Sequence, residues 1–258
     1  MEFISSFFLS SLVVFTAVTA LFFIALKKKD NSVLDVFWGL GFILVGVTSI
    51  IFSQNISRIG IIVFSMVTLW GSRLAYHIYK RNHGKGEDKR YQTFRKIWGT
   101  SFVLKSYLNL FLLQGLLLLI ISISMINVIV FRNNDLTLLD TIGILIWIIG
   151  FLFEVIGDWQ LRRFKNNLSN KGKILTEGLW RYTRHPNYFG EATMWWGIWL
   201  LGISTPIGIV TVISPILITI LLVRISGVTM LEKHYEGDSA YEKYKQRTSS
   251  FFPWLPKN

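Results

Sequence analysis

Residues 181–191 read RYTRHPNYFGE, and their types and order carry several kinds of chemistry at helical spacing. Arg181 and Arg184 are permanent cations with donors suited to phosphate or carboxylate. His185 changes charge near neutral pH. Asn187 offers a donor and an acceptor together, fit for an amide or a base edge. Pro186 has the fixed φ that suits a first helical turn, so a helix is predicted to start there with free N–H groups. Such an N-terminus, flanked by Arg181, Arg184 and Lys165, attracts anions. Glu191 follows Asn187 by four residues and falls on the same face, one turn deeper. Deep acid, middle amide and shallow cations together suit a long phosphorylated cofactor, reactive end inward. The alternative is an interfacial loop pinned by Trp180 and Tyr182.

Other polar residues stand in apolar surroundings. In FEVIGDWQLRR, Glu154 and Asp158 are one turn apart, and Arg162 extends their face. That acidic-to-basic face suits a ligand with hydroxyls at one end and phosphates at the other. Asp35 opens the apolar run LDVFWGLG, Arg73, Tyr76 and His77 lie in LWGSRLAYHIYKR, and Arg224 lies near the end of the last apolar run. An ionisable group in a membrane span marks a functional site unless a partner explains it. The structural alternative is a set of buried ion pairs, such as Asp158 with Arg224 or Asp35 with Arg73. Glu232, His234 and Tyr235 follow the last run and are placed to close the same cavity. The four histidines, His77, His83, His185 and His234, show no HxxxH or HExxH spacing, and no metal site is expected.

The elements that must position these residues are membrane helices. Of the 258 residues 52% are apolar, with 20 Phe and 10 Trp, more than a soluble domain of this size buries. A span needs about 20 apolar residues, and qualifying runs lie at 3–26, 33–53, 58–80, 102–131, 138–161, 187–203 and 205–230. The expected fold is therefore all-α, a single membrane domain with seven spans. Residues 1–131 would carry the substrate side, with a lid loop at 81–100, and residues 132–258 the cofactor-binding half. The first run lacks a basic leader and a cleavage pattern, and is read as a retained helix rather than a signal peptide.

The net charge of +12 would point a soluble protein toward nucleic acid. Here all but four of the 27 Lys and Arg (Arg58, Arg73, Arg132 and Arg224) fall in alternate connections and the tail. That asymmetry reports topology, with the N-terminus outside and the basic loops and C-terminus cytoplasmic. Nucleic acid is not an expected partner; membrane lipid and a lipophilic small molecule are. The loop RNHGKGEDKRYQTFRK has no preceding strand and no P-loop ending, so its glycines do not mark a nucleotide loop. The tail, with FFPW near its end, reads as a short interfacial helix plus an aromatic anchor. There is no cysteine, which excludes thiolate chemistry, and no inverted repeat of the kind transporters use.

The stretch LTEGLWRYTRHPNYFGEATMWWGIWLLG, with GDWQLRRFK before it and SGVTMLEKHY and AYEKYKQRTSSFFPW after it, resembles the C-terminal domain of the steroid 5-alpha-reductase family. RNHGKGEDKRYQTFR and DVFWGLGF are similar to its bacterial branch, so the resemblance covers most of the chain. It implies a seven-helix membrane reductase that binds NADPH in a cytoplasm-facing cavity and passes hydride to an enone, while a protein acid polarises the carbonyl. Asp158, Arg162, Lys165, Tyr182, Asn187 and Glu191 match family positions at the cofactor or its junction with substrate, and Tyr235 matches a cofactor tyrosine. The same reading assigns Glu154, Arg181, Arg184, His185 and Arg224 to the cofactor side. Lys165 replaces an arginine of the steroid reductases and Glu154 an asparagine. Asp35 and either Tyr76 or His77 occupy places comparable to the family's glutamate and tyrosine; with Glu191 they form the expected catalytic set. The expected location is a bacterial inner membrane.

A second resemblance is to the isoprenylcysteine carboxyl methyltransferases, which share RHPNYFG-type motifs but bind S-adenosylmethionine. Their Arg-Glu-Glu group after the last span is MLEKHY here, with no acidic neighbour to Glu232. Cationic Arg162, Lys165 and Arg184 also favour the phosphate-bearing cofactor, because S-adenosylmethionine has no phosphate. A non-catalytic lipid-binding relative is the third reading.

Overall fold

The computed structural model describes residues 2–225, 227–233 and 235–257. Among them the secondary structure is helical, with a single isolated backbone bridge between Thr183 and Ser249. Helices α1 (Glu2–Lys28), α2 (Val33–Ile51) and α3 (Arg58–Asn82) are long and apolar. A short polar helix α4 (Lys89–Trp98) precedes a composite rod of α5 (Phe102–Ser106), a π-helical turn (Tyr107–Leu112) and α6 (Leu113–Phe131). There follow α7 (Leu138–Asn166), α8 (Pro186–Gly202), α9 (Ile213–Ile220), α10 (Val228–Lys233) and α11 (Ser239–Arg247).

Six stretches among the described residues are long and apolar enough to cross a membrane: Glu2–Lys28, Val33–Ile51, Arg58–Asn82, Lys89–Phe131, Leu138–Asn166 and Val210–Lys233. They make the chain an integral membrane protein by length and composition. The expected sixth span is α8, 17 residues long. The expected seventh is broken into pieces: a 3₁₀ turn (Val210–Val212), α9 and a π-helical turn (Leu221–Ile225). Helix starts follow their capping residues. Ser57 accepts from the Gly60 N–H at the head of α3, and Thr137 and Asp140 form a reciprocal capping box at the head of α7.

The chain divides into two compact units. The first comprises Met1–Leu136 and Gly202–Thr211, the second Thr137–Leu201 and Val212–Asn258. In the first unit α1, α2, α3 and α6 pack around Val14, Val18, Phe42, Val63, Trp70, Leu118 and Ile126. Gly39 and Gly71 let α2 and α3 meet backbone to backbone, since a Cβ at either would strike the other's carbonyl.

The second unit is organised by glycines seven residues apart. Gly143, Gly150 and Gly157 on α7 face Gly197, Gly190 and Pro186 of α8 in turn, and a Cβ at Gly150 or Gly190 would meet the other's carbonyl oxygen. Close approach of this kind is how helices gain packing energy where lipid removes the hydrophobic drive. It brings α7, with Glu154 and Asp158, against the first turns of α8, where the candidate chemistry lies.

Candidate functional site

The segment between α7 and α8 is tied down at both ends. Gln160 on α7 accepts from the Leu179 N–H at 3.0 Å, and the Trp180 indole donates to the Gly157 carbonyl at 3.1 Å. Gly178, at φ +62°, supplies the left-handed turn that starts this 3₁₀ segment. From there to Pro186 the C-terminal segment takes over. The Arg184 N–H donates to the Ser249 carbonyl at 2.9 Å, the Thr183 hydroxyl to Phe251 at 2.8 Å, and the Trp254 N–H to Tyr182 at 3.0 Å. The Tyr244 hydroxyl of α11 donates to the Trp180 carbonyl.

Arg184 sits at the centre of this arrangement, only 7% exposed. Its Nε and Nη2 reach Glu232 Oε1 of α10 at 2.9 and 2.8 Å, and its Nη1 donates to the carbonyls of Lys245 and Thr248. His185 Nε2 lies 3.2 Å from the same carboxylate oxygen, and its ring stacks on Tyr188. The guanidinium thus joins the α7–α8 segment, α10 and α11. A buried arginine needs this many acceptors to offset the loss of water.

Beside this hub, within the second unit, is a cavity of about 590 Å³, within the range of ligand sites. Lys165, Lys171 and Lys173 give it positive charge, with Arg184 and His185 also in its wall; Trp180, Tyr235, Tyr241 and Tyr244 give it aromatic wall; Asn187 gives it an amide. Tyr235 and Tyr241 stack with centroids 4.5 Å apart. Burial pushes the Tyr241 hydroxyl up to about 12, with the nearby Glu232 carboxylate adding to the effect, and burial likewise raises Tyr244. Both therefore stay neutral donors at working pH.

Asn187 carries the most specific signal. Its Nδ2 donates to Asp158 Oδ1 at 3.2 Å, which fixes the amide's orientation, and its buried Oδ1 has no hydrogen-bond partner. An orphaned buried acceptor costs about 1–3 kcal/mol, and a ligand N–H or O–H would remove that cost.

Of the residues expected at the cofactor side, Lys165, Arg184, His185, Asn187 and Tyr235 line the cavity, and Asp158 is joined to it through Asn187. Glu154 and Glu191 are buried in the second unit, at 2% and 8% exposure, but do not line it. Arg162, Arg181, Tyr182 and Arg224 are exposed and stand off the cavity wall. The cation set therefore differs from the expected one. Arg184 spends its donors on Glu232 and backbone carbonyls, while Lys171 and Lys173, not singled out from sequence, face the cavity. Tyr241 and Tyr244 were also missed. Their positions i and i+3 in AYEKYKQR are the available signal, since the pair marks one face of a helix. His234, expected beside Glu232, lies outside the described residues.

On the first unit, Asp35 meets neither Tyr76 nor His77 in a hydrogen bond. Its Oδ2 accepts from Arg90 Nη2 at 2.7 Å and its Oδ1 from the Tyr91 hydroxyl at 2.6 Å. Both partners come from α4, inside the loop expected to be a lid. Tyr76 is 62% exposed, under the Lys80 ammonium. His77 is half-buried on α3. The rest of the lid is pinned as well: Glu87 pairs with Arg95 at 2.9 Å and accepts from the Asn31 N–H, and the Asp88 N–H donates to Ser32. Burial raises the Asp88 carboxyl, but hydrogen bonds and charge from Arg90 outweigh it and hold the group below the usual carboxylate range.

Among the described residues no group of three or more His, Cys, Asp or Glu is arranged to hold a metal ion. No solved structure matches the chain. A protein of Schizosaccharomyces pombe described as uncharacterized is 26% identical over 209 residues, 69% of this chain; the matched stretch spans 59% of that relative's length. The profile of the family described as "Protein of unknown function (DUF1295)" matches residues 21–248, and the chain belongs to that family.

Proposed function

We propose that this protein is a membrane-embedded reductase that uses NADPH to saturate a conjugated, enone-type double bond in a lipophilic, steroid- or lipid-like substrate. In this reading it is a relative of the steroid 5-alpha-reductases with seven spans, the N-terminus outside and the cavity open to the cytoplasm of a bacterial cell. The observation that carries it is the cavity of the second unit, where a cluster of lysines, an aromatic wall and an orphaned amide oxygen occur together.

The residues fit a dinucleotide by their chemistry. Lys165, Lys171 and Lys173 are point charges suited to phosphates. The Asn187 amide lies in the cavity wall with its Nδ2 held by Asp158, and its Oδ1, once a side-chain movement uncovers it, would accept an amide N–H or a ribose hydroxyl. The Tyr235–Tyr241 stack provides a flat face for a ring. Glu232 neutralises Arg184 and leaves Lys171 and Lys173 as exposed cations of the cavity. NADPH, when bound, supplies the hydride.

Within the first unit the expected acid residue is Asp35. Asp35 and Tyr91 share a 2.6 Å hydrogen bond, so the proton-holding partner of Asp35 is Tyr91 rather than Tyr76 or His77. S-adenosylmethionine would leave the lysines without a phosphate, which favours the reductase over the methyltransferase.

The test is isotope transfer. NADPH carrying deuterium at its transferable position is incubated with the protein in bilayers and a panel of lipophilic enones, and products are read by mass spectrometry. Deuterium in a saturated product, lost in Lys171→Ala/Lys173→Ala, is the expected result. Label that stays on the cofactor across the panel, with methyl transfer from S-adenosylmethionine instead, overturns it.

A further inference from the structure

We propose that residues 248–257 anchor the second unit in the interface of an anionic bilayer and thereby hold α11 in place as a wall of the cavity. Three large apolar side chains in this stretch, Phe252, Trp254 and Leu255, are 69%, 72% and 75% exposed. Their backbone is nevertheless fixed. The Trp254 N–H donates to Tyr182, the Phe251 carbonyl accepts from Thr183, and the Lys257 N–H donates to Arg247 at the end of α11. A segment ordered in its backbone but bare on its apolar side chains needs a cover.

Depth identifies the cover as lipid. Arg163 lies over the Trp159 ring at 5.4 Å near the polar end of α7, an aromatic and a cation of the kind that mark the headgroup level. Phe153 precedes Trp159 by six residues, roughly 9 Å further along the helix toward its apolar middle. Phe153 packs on Phe189, and Phe189 on Phe251 and Phe252, at 5.1, 5.9 and 6.1 Å. The tail therefore returns below the headgroup level rather than leaving into water.

Charge supports the same occupant. Arg181, Lys245, Arg247 and Lys257 are exposed around the segment, and basic groups near an anionic surface are attracted to it. The coupling to the cavity is covalent and short: Thr248 directly follows α11, which supplies Tyr241 and Tyr244.

The cysteine-free chain permits a direct test. Single nitroxides are placed by Trp254→Cys, Leu255→Cys and, as a water-exposed control on α11, Lys243→Cys, in nanodiscs of phosphatidylcholine with phosphatidylglycerol. Collision with oxygen relative to a polar nickel complex should be severalfold higher at 254 and 255 than at 243. Water-like values at all three sites overturn the anchor. Omitting phosphatidylglycerol should make 254 shallower; equal depth in both lipids overturns the anionic preference. In a Phe252→Ser/Trp254→Ser/Leu255→Ser variant, the label at 243 should become severalfold more mobile; unchanged mobility overturns the coupling to α11. None of these readouts depends on which cofactor the cavity takes.

Discussion

The two units treat their charged groups differently. On the first, Asp35 accepts from Arg90 and Tyr91, Asp88 caps α4 while pairing with Arg90, and Glu87 holds Arg95 and the Asn31 N–H. On the second, Arg184, His185 and Glu232 close on one another, yet beside them remain an amide oxygen without a partner and the exposed lysines Lys171 and Lys173. A cluster whose donors and acceptors are satisfied positions its elements. A cluster beside a cavity whose wall carries exposed lysines has groups left over for a ligand. Charge in an oily chain marks both, and what separates them is that lysines of the second stand exposed in a cavity wall.

The sharpest way to break this comparison is Glu232→Ala. It should leave the buried Arg184 guanidinium without its counter-ion, at a cost of about 3–5 kcal/mol, read as a large fall in resistance to denaturing detergent. A loss below roughly 1 kcal/mol, the level of exposed pairs, would erase the contrast between a buried hub and a surface one.

Asn187→Ala should behave in the opposite manner. Folding should lose about 1 kcal/mol, the scale of its one hydrogen bond to Asp158, while NADPH binding should weaken roughly tenfold or more. Loss of folding without loss of binding would return Asn187 to a structural role.

Asp35→Asn is expected to be milder for stability. Arg90 keeps 40% of its side-chain exposure, so the pair should contribute about 1 kcal/mol or less and weaken further with salt. A salt-independent loss as large as that of Glu232→Ala would make the first-unit cluster a buried core.

The smallest effect is confined to alkali. Tyr241 is raised from 10.0 to about 12 in the folded state, so the folded protein holds that proton more tightly than the unfolded chain. Its contribution is complete below pH 10 and drains as pH rises toward about 12. Unfolding followed across that window should show a component that Tyr241→Phe removes.

Much of the scaffold was legible because bilayer thickness sets a length that composition reveals. The runs 3–26, 33–53 and 58–80 became α1, α2 and α3 almost residue for residue, and Pro186 opened α8 as its fixed φ requires. The last span was less legible. Its apolar run gives no sign of the 3₁₀ and π-helical turns that interrupt it. At the site, Lys165 and Asn187 line the cavity and Asp158 bonds to Asn187, because the glycine seam sets the first turn of α8 against α7. The partners of Asp35 were not legible, since Arg90 and Tyr91 arrive from a polar loop 55 residues away or more, where no periodicity links them. Arg184 shows the same limit. Its type says anion, and only tertiary structure shows that the anion is the protein's own Glu232.

The most direct measurement is equilibrium binding of NADPH and, separately, of S-adenosylmethionine to the purified protein, repeated for Lys171→Ala/Lys173→Ala and Glu191→Gln. The account predicts saturable NADPH binding that weakens with salt and is lost in the double lysine variant. It predicts retained affinity in Glu191→Gln, because Glu191 does not line the cavity. Saturable binding of S-adenosylmethionine with none of NADPH, or binding of neither, would contradict it.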